Sequence, residues 1–289
     1  MIIFPRVRRK SIRYDFLRNY CKGNDEPTDD RESSAVFRRR FVLHFQKGNH
    51  TMSIHQFTKT GTYHKRIQTE NQDCVRFCEG EAFRAIMLAD GASSASMMAR
   101  ESAVLACEAA AQIIDTEGID FFRSRPDRIA YLLSEHILYR LERALASGQS
   151  LSDYGSTFAM AFTEKADGRT VLINLGDGAV MSAGKESPRL LMPPVKHRGK
   201  TCLTTTEGVC KAVNVTLTQT KPGEHIILCS DGFLSVLVRG GLSAAICLFD
   251  PRELNRLLLL AEPEDDCSYI SMQDERKEEP PWINRAAVF

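Results

Sequence analysis

The stretch Ala82–Val104, AFRAIMLADGASSASMMARESAV, decides the fold. Its apolar run ends on a single carboxylate, Asp90. Gly91, Ala92 and two serines follow, and then a helical pattern begins. A short apolar run bounded by turn residues reads as a buried strand. A buried strand that ends on an acid, flanked by residues too small to shield it, leaves that acid open to a ligand.

The same ending recurs along the chain. LINLGD closes on Asp177 and IILCSDG on Asp231. DDCSYISM starts a strand directly after Asp265 and Asp266, and ENQDCVRF starts one at Asp73. Acids at strand edges can converge on one end of a sheet, where they repel one another unless a cation lies between them. An all-oxygen set without a His or Cys cluster suits Mg²⁺ or Mn²⁺ rather than Zn²⁺. Gly91 has no side chain to cover its carbonyl, which leaves that oxygen open as well. A turn or helix cap accounts for any one of these acids alone. It does not account for the whole ordered series.

The flanking pattern gives the fold class. SIHQFTKTG, DCVRFCE and AFRAIMLAD read as strands, with a turn at EGE. Ser94–Asp115 reads as a helix with Ala103, Val104, Cys107, Ala110, Ala111 and Ile114 on one face. A second helix starts at Pro126, carries the stripe Ile129, Leu133, Ile137, Leu141 and Leu145, and ends at Gly148. Strands return at GSTFAMAFTE, RTVLINLGD, AVMSAG and EHIILCSDG. A loop spans about 186–210, a short helix follows in PRELNRLLLLAEP, and CSYISMQ is the last strand. Strands in blocks, rather than strict alternation with helices, predict an α+β fold of antiparallel sheets with helices packed outside.

Composition sets the bounds. The chain has 289 residues and is 43% hydrophobic, without an apolar run of membrane-spanning length. Nine scattered cysteines without metal spacing, and no evident signal peptide, predict reduced thiols in a cytoplasmic protein. The net charge of +1 hides an asymmetry. Residues 1–51 carry 12 Lys and Arg against 6 Asp and Glu, and the remainder carries 26 against 31. A mildly acidic body argues against nucleic acid as its main partner. Residues 1–51 read as a basic, partly disordered extension, with Met52 as an alternative start. Residues 276–289 read as a polar, Pro-rich tail.

Six collinear pieces resemble the metal-dependent PP2C-like (PPM) protein phosphatases, in particular their compact bacterial branch. They are GTYHKRIQTENQD (61–73), MLADGASSASMMARESA (87–103), DYGSTFAMAF (153–162), LINLGDGAV (172–180), IILCSDGF (226–233) and DDCSYISM (265–272). The resemblance implies a four-layer αββα sandwich over residues 52–275, with two Mg²⁺ or Mn²⁺ ions at one end of the paired sheets and a third, looser ion beside them. By resemblance, Asp90 bridges the two ions, the Gly91 carbonyl binds one, Asp231 and Asp265 complete the other, and Asp73 binds directly or through water. Asp153 matches the acid that supports the looser ion, Asp177 the usually structural GD turn, and Asp266 an acid that supports the ligands from behind.

The resemblance also implies hydrolysis of phosphoserine or phosphothreonine on a protein, opposing a serine/threonine kinase. Three departures stand out. Gln72 replaces a frequent Glu, Gln68 replaces a phosphate-binding Arg, and GDGA replaces GDSR. Arg66 is the substitute of choice for phosphate, since a guanidinium fork matches two phosphate oxygens. His64 is a candidate proton donor to the leaving group, although a lone His on a strand edge is more often structural. The rival reading is a catalytically weak or inactive PP2C-like binding module.

Overall fold

The computed structural model describes residues 43–46, 51–92, 98–184, 188–197, 199–248, 250–274 and 276. The expectations for the N-terminal extension and the C-terminal tail fall almost wholly outside them. In chain order the elements begin β1 (Leu43–Gln46), β2 (Thr51–Lys59), α1 (Thr62–Arg66), β3 (Asp73–Glu79), β4 (Phe83–Asp90), α2 (Ala99–Glu117), α3 (Ile119–Phe122) and α4 (Pro126–Ala144). They continue through β5 (Phe158–Glu164), β6 (Arg169–Leu175), β7 (Ala179–Ala183), β8 (Arg189–Met192), β9 (Lys196–His197), β10 (Lys200–Thr201) and β11 (Asn214–Gln219). The last are β12 (His225–Cys229), α5 (Asp231–Cys247), α6 (Pro251–Leu260) and β13 (Cys267–Gln273).

Two antiparallel sheets form, in the orders β11-β6-β5-β4-β3 and β1-β2-β13-β12-β7-β8. Alternation within β4 explains the stacking. Ala85, Met87 and Ala89 face a layer formed with α2 and α4, while Ile86 and Leu88 face the other sheet. Ile226, Leu228, Ile270 and Met272 meet them from that second sheet. On its far side, Ile227 and Tyr269 pack with Phe233 of α5 and with Leu254 and Leu258 of α6. Because Ala85–Ala89 of β4 is buried on both faces, that stretch is continuously apolar instead of alternating. The layers are therefore helix, sheet, sheet, helix, as expected.

Most of the expected stripes of α2 and α4 are buried: Ala103, Cys107, Ala110, Ala111 and Ile114 on one, and Ile129, Leu133, Ile137 and Leu141 on the other, whereas Val104 is half-buried and Leu145 falls just past the end of α4. Other elements differ. His64 lies in the short helix α1, not on a strand edge. The expected loop over 186–210 contains β8 and the small β9–β10 hairpin. Helix α5 has no counterpart in the expected elements, although Ser235 and Arg239 follow Asp231 at helical spacing and are exposed while Phe233 and Val236 are buried. Gly241, at φ 58, breaks it midway.

Candidate metal centre

Strand register brings the first two acids together. Asp73 opens β3 and Asp90 closes β4, and the two are direct cross-strand partners. The backbone of Asp90 is fixed twice by one residue: Thr157 N–H donates to its carbonyl at 2.8 Å, and its own N–H donates to Thr157 Oγ1 at 3.2 Å. Only its side chain is left for other work. Gly91 continues the line, donating its N–H to the Gln72 carbonyl at 3.2 Å. A Cβ on Gly91 would lie 2.4 Å from the Ala99 carbonyl oxygen, so only glycine lets α2 start this close.

The second sheet supplies the other acids. Asp231 is the first residue of α5, where a helix N-terminus favours negative charge. A Cβ on Gly232 would lie 2.2 Å from the Asp266 carbonyl oxygen, so the start of α5 is pressed against the start of β13. Asp265 is half-exposed and accepts the Asp266 N–H at 2.8 Å. Asp266 itself is buried. It accepts the N–H of Gly61 at 2.8 Å and that of Gln72 at 2.6 Å, and it sits 3.0 Å from Nδ1 of the buried His64. Asp266 thereby ties α1 and the approach to β3 onto the start of β13.

The electrostatics of this end are unusual. Asp73 is 2% exposed, and among the described residues neither of its carboxylate oxygens meets a well-placed donor, the Ser268 hydroxyl being the nearest help. Asp231 Oδ1 and Gln72 Oε1 are likewise buried and unpartnered. Burial, then the charges of Asp73 and Asp231, push the Asp90 carboxyl well above the usual carboxylate range. Burial, with Asp266 and Asp231 adding to it, pushes Asp73 up to about 7. Burial, then Asp177 and Asp265, pushes Asp231 up to about 6. Buried oxygens without donors, surrounded by like charge, fit a site built for a hard cation. Among the described residues, no three His, Cys, Asp or Glu side chains are already drawn around one point.

Other expected residues sit nearby in different roles. Asp177 accepts the Thr201 hydroxyl and lies 3.6 Å from Lys196 Nζ, anchoring the β9–β10 hairpin beside Asp231. Asp153 accepts the N–H of Ser150 at 2.7 Å and caps its own turn. Two residues later, Gly155 accepts the Ala92 N–H, so that turn runs alongside Gly91. Arg66 is exposed at the end of α1, its guanidinium 5.5 Å from the Tyr63 ring. Sequence reading missed Arg100, whose Nη1 bonds the carbonyls of Asn71 and Asp73. Backbone carbonyls carry no sequence signature, so nothing in the residue pattern could have marked that contact.

The protein phosphatase 2C family model matches residues 60–251, most of the described fold, and the chain belongs to that family. No curated protein matches the chain by sequence. Solved structures share the fold at low identity. A point variant of a bacterial serine phosphatase aligns with a TM-score of 0.60 at 15% identity, covering 78% of this chain and 99% of its own. The catalytic domain of the serine/threonine protein phosphatase PstP, in complex with two manganese ions, gives 0.57 at 15% identity, covering 77% and 97%. RsbX in complex with magnesium gives 0.53 at 12% identity, covering 81% and 99%. Among the described residues, no helix is long and apolar enough to cross a membrane.

Proposed function

We propose that this chain is a metal-dependent protein phosphatase acting on phosphoserine and phosphothreonine. One observation carries the reading: the cross-strand pair Asp73–Asp90 meets Asp231 at the junction of two sheets, and among the described residues both Asp73 carboxylate oxygens and Asp231 Oδ1 are buried without a partner. Family membership and the manganese and magnesium held by PstP and RsbX support it.

Asp73, Asp90, the Gly91 carbonyl, Asp231 and Asp265 would hold the Mg²⁺ or Mn²⁺ ions, two by the family resemblance. Such ions acidify a water for in-line attack on phosphorus and offset charge on the phosphoryl oxygens. The chain's own residues do the rest. Thr157 keeps the Asp90 backbone fixed while its carboxylate faces the acids. Asp266 and His64 hold α1 against β13, which makes His64, 1% exposed, a positioning residue rather than a proton donor to the leaving group. Arg66 is exposed at the end of α1, without a carboxylate partner among the described residues, and there it would meet substrate phosphate. Asp153 would support a third, looser ion from the turn beside Gly91. The substrate would be a phosphorylated protein in the cytoplasm, opposing a serine/threonine kinase.

A second reading, a weak or inactive binding module, draws on Gln72. Its amide oxygen is buried and unpartnered where a carboxylate would bring more charge. Phosphate release from a phosphothreonine peptide, with Mn²⁺ or Mg²⁺, decides between them. Metal-dependent release that Asp90→Asn and Asp231→Asn both abolish in folded protein is the expected result. Folded wild type that releases no phosphate with either metal would leave the binding module.

A further inference from the structure

Arg100 stands at the start of α2, on the outer side of the first sheet, and the chemistry above gives it no task. Its Nη1 donates to the Asn71 carbonyl at 2.6 Å and to the Asp73 carbonyl at 2.9 Å, while its Nε lies 3.3 Å from Glu70 Oε2. The same short segment is gripped from other directions. The Gln72 N–H donates to Asp266 in the second sheet, and the Gln72 carbonyl accepts from Gly91. The Asp73 N–H donates to Asn71 Oδ1 at 2.8 Å. Two alternate carbonyls thus share one guanidinium, and the N–H between them is held by a buried carboxylate. A segment clamped this way has little backbone freedom, and it carries two residues with side-chain oxygens buried without partners among the described residues, Gln72 and Asp73.

We propose that Arg100 is a positioning residue for the acid cluster. It fixes the backbone of residues 71–73 so that the Asp73 carboxylate stays opposite Asp90. The inference rests on the metal-dependent reading above. Chemistry explains the choice of side chain: a planar guanidinium spans two carbonyls and a carboxylate at once, whereas a lysine ammonium is a single flexible point charge. Arg100 is one-third exposed, so direct contact with substrate phosphate is the competing role.

The test uses the full chain, titrated with Mn²⁺ alone by calorimetry and assayed for phosphothreonine-peptide turnover. Wild type that neither binds Mn²⁺ nor turns over overturns the metal reading, and this inference with it. With wild-type binding in hand, Arg100→Met should weaken Mn²⁺ affinity by about tenfold or more, as loss of residues that orient metal ligands does. Its kcat should recover at saturating Mn²⁺, and Arg100→Lys should restore part of the affinity. Adding Arg100→Met to Asp73→Asn should weaken Mn²⁺ no further than Asp73→Asn alone. Unchanged Mn²⁺ affinity, with a raised KM and weaker inhibition by inorganic phosphate, would make Arg100 a phosphate contact and overturn the proposal. Fully additive losses in the double variant would overturn it too. If Arg100→Met does not fold, Glu70→Gln removes only the carboxylate partner and should weaken Mn²⁺ by about twofold to threefold.

Discussion

The two ends of the sandwich use the same residue types to opposite effect. At the far end from Asp90, every carboxylate at issue meets a cation. Glu164, 8% exposed, takes Arg123 through two hydrogen bonds and lies 3.7 Å from Arg169. Glu79 meets Lys165 and Arg84, Glu224 meets Arg189, and Asp274 meets Arg276. Burial alone would raise the Glu224 carboxyl, but the Lys221 N–H and Arg189 outweigh it and hold the group below its ordinary range. At the other end, Asp73 is as deeply placed and Asp90 half-buried, among the described residues no cationic side chain pairs with either carboxylate, and both carboxyls are raised. One end is closed on itself and stabilises the fold. The other is left electrostatically incomplete, at a cost in stability that a bound cation would offset.

The sharpest way to break this contrast is to neutralise one acid at each end. Asp90→Asn should lower metal-dependent turnover by about a thousandfold or more, the scale of several kcal/mol of transition-state stabilisation. Glu164→Gln should leave turnover per folded molecule within about twofold. Steady-state kinetics on the peptide would read both, and comparable losses would erase the distinction.

Stability should divide the ends next. Gly91→Ala forces a Cβ to 2.4 Å from the Ala99 backbone and should cost about 3 kcal/mol, because backbone cannot swing aside. Gly184→Ala, beside Glu224, meets nothing closer than 3.6 Å and should stay within about 0.5 kcal/mol. Urea melts of the metal-free protein would measure both.

A third comparison reverses sign. Glu164→Gln leaves Arg123 and Arg169 facing a neutral amide and should destabilise by about 1–2 kcal/mol. Asp73→Asn removes a buried charge that lacks a partner, so at neutral pH it should stabilise the metal-free protein by about 1 kcal/mol while weakening Mn²⁺ binding.

The pH dependence sharpens this further. Asp73 and Asp231 titrate at about 7 and about 6 in the folded chain, above their ordinary values. Their folded forms bind more protons than the unfolded chain does, so their contribution is full at about pH 4 and is lost as pH rises through 6 and 7. Metal-free protein should therefore melt a few degrees lower at pH 7.5 than at pH 5, and Mn²⁺ should raise the melting temperature most at pH 7.5. A flat profile that Asp73→Asn does not change would contradict the assignment. The smallest effect belongs to Arg66→Ala, which should raise KM for the phosphopeptide by about fivefold while leaving the melting temperature within about 1 °C.

The residue pattern determined a good deal by itself. Strand-ending acids, the paired helices with their apolar stripes and the block order of strands were all readable, because each is a local matter of periodicity and turn chemistry. The acids Asp73, Asp90, Asp231 and Asp265 were visible for the same reason: each stands at the edge of a run whose period is short. Tertiary structure decided the rest. Register made Asp73 and Asp90 direct partners, and packing of α5 against β13 at Gly232 brought Asp231 to Asp265. His64 became a buried neighbour of Asp266 and Arg100 a clamp on two carbonyls through contacts nearly 30 to 200 residues apart. Such contacts depend on which backbone groups the folded chain leaves within reach, and a backbone group is the same at every position in the sequence.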